Sequence, residues 1–124
     1  MIWRALCLIQ FFLVLIIFAY LGLTPAPEQS VPMFNDKLMH CTGYFFGGLS
    51  ISFAFPRWKF MTRAMVLVSY SIGIEIAQHF MPPRTFDPVD MIANTTGVLL
   101  GLAVIALLSA KSERFTQFLF WKTE

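Results

Sequence analysis

Polar and ionisable residues recur at helical spacing in an otherwise apolar sequence. Asp36, His40 and Tyr44 follow one another at intervals of four residues, and Lys37 stands beside them. Side chains four residues apart lie on one face of an α-helix. A stripe that offers a carboxylate, an imidazole and a phenol has the groups needed for acid–base chemistry, ion pairing or ligand binding.

Two further groups of polar residues have the same spacing. The first comprises Ser71, Glu75 and Gln78. The second lies in the segment RTFDPVDMIANTTG (residues 84–97), where Asp90 and Asn94 are four residues apart. The same segment also contains Arg84 and Asp87, so that two carboxylates, an amide and a guanidinium stand between two strongly apolar stretches.

The composition indicates that lipid is the solvent of this chain. Its 124 residues are 57% hydrophobic and only 13% charged, whereas soluble domains are about 45–50% apolar and about 25% charged. The net charge of +2 is too small to indicate nucleic-acid binding, and we expect no nucleic-acid partner. Cys7 and Cys41 lie in apolar segments without CxxC spacing, which predicts two small hydrophobic residues and no disulfide.

Four segments are long and apolar enough to be membrane spans, which need roughly 20 residues each. They cover residues 5–23, 37–55, 62–80 and 89–109. The sequence thus predicts an all-α, polytopic integral membrane protein, a bundle of four transmembrane helices within a single domain of residues 1–124. A cleaved signal peptide is the alternative for the first segment, but its apolar core exceeds the usual length of about 7–15 residues.

Basic residues predict the orientation of this bundle. With four spans, seven of the nine Lys and Arg residues fall on one side, namely Arg4, Arg57, Lys59, Arg63, Lys111, Arg114 and Lys122. Because Lys and Arg concentrate in cytoplasmic loops, both termini are predicted to be cytoplasmic. We expect the protein in the bacterial cytoplasmic (inner) membrane, with residues 24–36 and 81–88 facing outward. The aromatic and basic tail after residue 110 predicts a short interfacial helix.

This topology brings the three polar groups to the same depth at the outer membrane face. Charged side chains inside a membrane normally face the bundle interior and pair with one another. We therefore predict that Glu75 pairs with Arg84, Lys37 or His40. The predicted ligand-binding residues of this outward-facing polar pocket are Asp36, Lys37, His40, Tyr44, Glu75, Gln78, Arg84, Asp87, Asp90 and Asn94.

Several of these residues also have ordinary structural interpretations. Asp36 and Asp87 are suitable helix N-caps, and Pro88 suits the first position of a helix. Lys37 and His79 could extend to the membrane interface, Tyr44 could pack as an aromatic, and Asn94 could join helices through hydrogen bonds. The GxxxG sequence of residues 97–101 is typical of a close helix-packing face.

Two segments resemble a known family. The segment DKLMHCTGYFFGGL (residues 36–49) resembles the DK-x-x-H-x-x-x-Y element of the VanZ-like family. The segment EIAQHFMPPRTFDPVDMIANTTGVLLG (residues 75–101) resembles its second element, E-x-x-Q followed by R-x-x-D-x-x-D-x-x-x-N-x-x-G-x-x-x-G. The resemblance implies a VanZ-like transmembrane domain of the cell envelope, from a family named for a link to low-level teicoplanin resistance. The family pattern falls on Asp36, Lys37, His40, Tyr44, Glu75, Gln78, Arg84, Asp87, Asp90, Asn94, Gly97 and Gly101.

Three functions remain open from the sequence. The pocket could bind an envelope lipid or a cell-wall precursor headgroup, with Lys37 and Arg84 on a phosphate. It could belong to an intramembrane enzyme acting on a lipid headgroup, with His40, Glu75 and Asp90 as catalytic candidates, although no nucleophile motif is present. It could instead be a structural or interaction network that fixes helix packing.

The expected partners follow from the first of these functions. They are membrane lipid and a lipid-linked or phosphate-bearing ligand, and a homo-oligomer is left open. We expect no cofactor. A metal bound by His40, Glu75 and Asp90 is a variant of the enzyme hypothesis, but no tight ligand spacing is visible, and no metal is expected.

Overall fold

The structure is a computed structural model that describes residues 1–24, 36–82 and 86–121. Within these ranges every regular element is an α-helix, as predicted. The helices are α1 (Ile2–Leu23), α2 (Asp36–Ala54), α3 (Phe60–His79), α4 (Pro88–Lys111) and α5 (Glu113–Leu119). The first four coincide closely with the four apolar segments of the sequence, and the fifth is the helix predicted in the tail.

Three of the described helices, α1, α3 and α4, are long and apolar enough to cross a membrane. The helix α2 has 19 residues but is not one of the three. Its lower hydropathy has a simple cause, because α2 carries the polar residues Asp36, Lys37 and His40 together with several Gly and Ser residues. Three spans of the predicted four are therefore supported, and the fourth span and the cytoplasmic termini stay predictions.

The helices α2 and α4 form the closest pair among the described elements. Glycines make this approach possible, because side chains at these positions would collide with the backbone of the other helix. A Cβ atom on Gly97 would strike the Cys41 carbonyl, and one on Gly101 would strike the Phe45 carbonyl. The GxxxG sequence is thus a helix-packing face, as predicted, and it fixes the position of the first turns of α4 beside those of α2.

Polar contacts attach α1 to α2. The Arg4 guanidinium donates hydrogen bonds to the carbonyls of Phe53 and Ala54, at 2.9 and 2.6 Å. These are carbonyls of the last turn of α2, which have no partner within their own helix. Midway along the pair, the Ser50 hydroxyl donates to Gln10 Oε1 at 2.8 Å, and Gln10 Nε2 donates to the Ser50 carbonyl at 3.2 Å. The start of α1 therefore lies beside the end of α2.

The helix α5 packs at this same end of the bundle. The ring of Phe118 lies 5.1 Å from that of Trp3 and 6.3 Å from that of Phe53, measured between centroids. Leu119 of the same helix is buried. Both ends of the described chain therefore meet at one end of the bundle, and the polar first turns of α2 and α4 lie at the opposite end.

Candidate functional site

The first turn of α2 contributes a carboxylate and an ammonium group to the site. Asp36 is the first residue of α2 rather than its N-cap, a position where the helix dipole favours a negative charge. The Lys37 Nζ donates hydrogen bonds to Asp87 Oδ2 and Asp90 Oδ1, and it lies 3.7 Å from Asp36 Oδ2. Lys37 therefore joins α2 to the start of α4 instead of extending freely to the membrane interface.

Asp87 is the N-cap of α4, as the sequence predicted. Its Oδ1 accepts a hydrogen bond from the Val89 backbone N–H at 2.8 Å, and Pro88 occupies the first helical position. The hydrogen bond from Lys37, and then that from Val89, holds the pKa of Asp87 below its ordinary value. Asp87 thus combines the capping role with an ion pair to α2.

A chain of hydrogen bonds orients the imidazole of His40. The amide nitrogen of Asn94 donates to Ser71 Oγ at 2.8 Å, so that the amide oxygen faces His40 Nδ1 at 2.9 Å. This network assigns the imidazole proton to Nδ1, which donates to Asn94. The other ring nitrogen, Nε2, faces Asp36 Oδ1 and Asp90 Oδ2, each 3.8 Å away.

Glu75 is the most buried carboxylate of the described chain, with 1% of its surface exposed. No donor of the described residues reaches its carboxylate oxygens with normal hydrogen-bond geometry, although the Asp87 backbone N–H makes a weaker contact with this carboxylate. The predicted pairing with Lys37 or His40 is therefore not found, because Lys37 is held by Asp87 and Asp90, and His40 is held by Asn94. Arg84, the third predicted partner, lies outside the described residues.

These side chains surround a half-open cavity of about 190 Å³. We call it the polar pocket and define it by its polar wall, which consists of Asp36, His40, Tyr44, Glu75, Gln78 and Asn94. An apolar wall of Phe18, Met39 and Ile74 faces these residues. The polar pocket therefore lies between α1, α2, α3 and α4, at the end of the bundle away from α5.

The helix α1 contributes residues that the sequence did not single out. The ring of Phe18 packs on that of Tyr44 with centroids 4.8 Å apart. Gln78 Nε2 donates a hydrogen bond to the Gly22 carbonyl at 2.7 Å, which ties α3 to the end of α1. No periodic signal distinguishes Phe18 in a helix whose only polar residues before Tyr20 are Arg4 and Gln10, and only the packing of the helices identifies it.

The structure brings nine of the ten predicted ligand-binding residues to one end of the bundle. Six of them line the polar pocket, and the other three, Lys37, Asp87 and Asp90, form an ion cluster at its rim. In the described part of the site, four carboxylates (Asp36, Glu75, Asp87 and Asp90) accompany one lysine, which leaves a formal charge of −3 with His40 neutral. A phosphate bound by Lys37, as predicted from the sequence, would therefore have to compete with the two carboxylates that already bind this lysine.

Comparisons with known proteins identify the family of this chain. The family described as VanZ/LLP1 matches residues 8–109, from within α1 almost to the end of α4. The uncharacterized protein C11E3.10 of Schizosaccharomyces pombe is 38% identical over 96 residues, which are 74% of this chain and 57% of that protein. The chain thus spans little more than half the length of this relative, and no solved structure matches it. The chain belongs to the VanZ/LLP1 family.

Proposed function

We propose that this VanZ-like chain is an integral membrane protein that binds the headgroup of a membrane lipid in the polar pocket. The observation that carries the proposal is Glu75, a fully buried carboxylate that lines an open cavity and accepts no hydrogen bond of normal geometry from the described residues. A buried carboxylate without partners destabilises a protein by several kcal/mol or loses its charge. A ligand that donates hydrogen bonds to Glu75 would remove this cost.

The size of the polar pocket favours a headgroup. Pockets for drug-sized ligands have volumes of about 300–1,000 Å³, whereas this cavity measures about 190 Å³. A headgroup fits such a volume while its acyl chains remain in the bilayer. The apolar wall formed by Phe18, Met39 and Ile74 would contact the first carbons of the lipid.

The charges favour a headgroup that carries both donors and a phosphate. Hydroxyl or ammonium groups would donate to Glu75 and Asp36, the carboxylates of the pocket wall. The phosphate would lie at the rim, within reach of Lys37 and, in this proposal, of Arg84, whose guanidinium can bind two phosphate oxygens at once. Glycerophospholipids with amino-alcohol or polyol headgroups have this combination of groups.

The location of the site is part of the proposal. The distribution of Lys and Arg favours an outward-facing pocket in the bacterial cytoplasmic membrane, where its ligands would be lipids of the outer leaflet. A cell-wall precursor with a lipid-linked phosphate would also reach this leaflet. The link to teicoplanin susceptibility, which the family resemblance implies, would follow only if such a precursor is the ligand.

An enzyme acting on the same headgroup is the second candidate. His40 supports it, because Asn94 holds its Nδ1 and its Nε2 faces the rim of the pocket. An accessible imidazole nitrogen in this position can act as a general base when it carries no proton. In this alternative, His40 would take a proton from water or from a headgroup hydroxyl, and Asp90 would stabilise the resulting imidazolium.

A purely structural role accounts for only part of the site. The contacts of Lys37 with Asp87 and Asp90, and those of Asn94 with His40 and Ser71, would fix α2 against α4 without any ligand. Glu75 gains nothing from this network, since it accepts no hydrogen bond of normal geometry from the described residues. Ligand binding therefore explains the buried carboxylate of Glu75, whereas a purely structural role does not.

Native mass spectrometry of the protein purified from membranes in mild detergent tests the proposal. We expect a lipid adduct of defined mass on the wild type, and its loss in Glu75→Gln. The variant Glu113→Gln removes an exposed carboxylate of α5, at the other end of the bundle, and should keep the adduct. An adduct of equal abundance in all three proteins would contradict the proposal. So would a wild type without any adduct.

A further inference from the structure

We propose that Asp36, His40 and Asp90 bind a divalent metal ion of the Zn²⁺ or Mn²⁺ class at the rim of the polar pocket. A phosphate oxygen of the headgroup would coordinate the ion, so this part of the inference rests on the proposed function. The sequence predicts no metal here, and the metal variant of the enzyme hypothesis has Glu75 in place of Asp36. Two of the ligands come from the first turns of α2, and the third comes from the first turn of α4.

The three potential ligand atoms already surround a common point. One atom each from Asp36, His40 and Asp90 lies within 4.8 Å of the other two. His40 Nε2 is 3.8 Å from Asp36 Oδ1 and 3.8 Å from Asp90 Oδ2. Ligand atoms bound to one zinc ion at about 2.0–2.2 Å lie roughly 3.4 Å apart in tetrahedral geometry. The two distances from His40 would therefore contract by about 0.4 Å, and the distance between the two carboxylate oxygens by up to about 1.4 Å, to complete the site.

The neighbouring contacts direct these atoms toward that point. Lys37 binds Asp90 through Oδ1 and approaches Asp36 through Oδ2, which leaves the second oxygen of each carboxylate facing His40. Asn94 fixes the proton on His40 Nδ1 and leaves Nε2 free to bind. Metal-binding histidines typically donate their other N–H group to an oxygen in this way, and the outer hydrogen bond sets the orientation of the ring.

Glu75 is the independent observation that indicates a ligand. It is fully buried, accepts no hydrogen bond of normal geometry from the described residues, and lines the same pocket as Asp36 and His40. A pocket with a described formal charge of −3 favours a cation. A divalent ion would bring this charge to −1, and would resolve the difficulty of placing a phosphate beside four carboxylates.

The donor set selects the class of metal. One imidazole nitrogen with two carboxylates suits Zn²⁺ or Mn²⁺, whereas Ca²⁺ and Mg²⁺ prefer sites built entirely from oxygen. Three protein ligands leave at least one coordination position open, as in catalytic rather than structural zinc sites. The open position would face the polar pocket, where it could accept a phosphate oxygen or a water molecule.

Calorimetric titration of the full chain with Zn²⁺ alone tests the inference, after the detergent-purified protein has been treated with a chelator. We expect one Zn²⁺ per chain, and an affinity at least about tenfold lower in Asp36→Asn and in His40→Gln. Asp36 suits this test because its side chain is 70% exposed, so the substitution should leave the fold intact. The matched control is His79→Gln, at the exposed end of α3, which should bind Zn²⁺ as the wild type does.

The hydrogen bond between His40 and Asn94 provides a second test. Asn94→Ala should weaken Zn²⁺ binding by about 10–100-fold, because loss of such a contact releases the imidazole. Circular dichroism of each variant checks that the helices remain. Equal Zn²⁺ binding by the wild type, Asp36→Asn and His40→Gln would overturn the inference, and so would a wild type that binds no Zn²⁺.

Native mass spectrometry on the same samples separates this inference from the proposed function. A lipid adduct on a wild type that binds no Zn²⁺ would overturn the metal site and support headgroup binding. One Zn²⁺ per chain, lost in His40→Gln, on a protein that never carries lipid would support the metal site and overturn headgroup binding.

Discussion

Lys37 in the first turn of α2 donates a hydrogen bond to Asp90 in the first turn of α4, across 53 residues of sequence. The same ammonium binds Asp87, the N-cap of α4. The two helices thus share a cation at the end where they form the polar site. Farther along the two helices, glycines bring their backbones together.

Replacement of Lys37 should destabilise the bundle. In Lys37→Met, Asp87 and Asp90 lose the cation that both of them bind, and Asp90 is only 11% exposed. Loss of one partner costs about 0–1 kcal/mol in an exposed ion pair and about 3–5 kcal/mol in a buried one. We expect a loss of about 1–3 kcal/mol, between these limits, measured as a lower Tm in detergent. Lys111→Met, at the exposed end of α4, should leave Tm unchanged, and equal Tm values for both variants would contradict this account.

The ion pair of Asp87 should make stability depend on pH. The hydrogen bonds from Lys37 and Val89 lower the pKa of Asp87 in the folded protein below its ordinary value. A carboxylate of this kind contributes stability above its unfolded pKa of about 3.9, and the contribution is lost as the pH falls through the lower folded value. Thermal unfolding between pH 7 and pH 2 should therefore show a decline in Tm below about pH 4.

The variant Asp87→Asn provides the control for this pH dependence. An amide cannot titrate, so the decline below about pH 4 should be smaller in the variant than in the wild type. The variant should also have a lower Tm at pH 7, because the ion pair with Lys37 is lost. Parallel pH profiles for the two proteins would refute the role assigned to Asp87.

The glycine face of α4 should tolerate no added methyl group. In Gly97→Ala the new Cβ would meet the Cys41 carbonyl of α2, so the helices must separate. Overpacking of this kind typically costs about 1–3 kcal/mol. Gly73→Ala in α3 is a matched control, because nothing lies within 4 Å of its added Cβ. We expect a lower Tm for Gly97→Ala only, and a similar decrease for Gly73→Ala would show that helical glycine itself, rather than close packing, is responsible.

The local features of this fold could be predicted from the sequence. The lengths of the apolar segments located α2, α3 and α4 to within two residues at each end. The capping rules identified Asp87 as an N-cap, and small-residue spacing identified the packing face of Gly97 and Gly101. These features depend on residues that are close together in the sequence, where the geometry of a single helix is sufficient.

The pairing of side chains across helices could not be predicted in the same way. Helical periodicity placed Lys37 and Glu75 at one depth, which made an ion pair between them plausible. It did not specify that Lys37 binds Asp87 and Asp90 rather than Glu75. The grouping of Asp36 and His40 with Asp90 likewise depends on the rotation of α4 about its axis. This rotation is set by the contacts of Gly97 and Gly101 with α2, which a stripe on an isolated helix does not reveal.

Arg84 should affect lipid retention rather than folding. If Arg84 binds the headgroup phosphate, Arg84→Ala should reduce the lipid phosphorus that copurifies with each chain, while Tm of the delipidated protein stays unchanged. The control is Arg114→Ala, which removes an exposed guanidinium from α5, near the opposite end of the bundle. Equal phosphorus content in the two variants would rule out a phosphate contact for Arg84.

The most direct test of headgroup binding is the thermal stability of delipidated wild type and Glu75→Gln in mixed micelles. The micelles contain increasing amounts of phosphatidylethanolamine or phosphatidylglycerol. A ligand that binds only the folded protein stabilises it by about 2.7 kcal/mol at 100 times Kd, and therefore raises Tm as its concentration increases. We predict that at least one of these lipids raises the Tm of the wild type and not that of Glu75→Gln, which should be the more stable protein without lipid. Equal lipid-dependent shifts in the two proteins, or none in the wild type, would contradict the assignment of the polar pocket as a headgroup site.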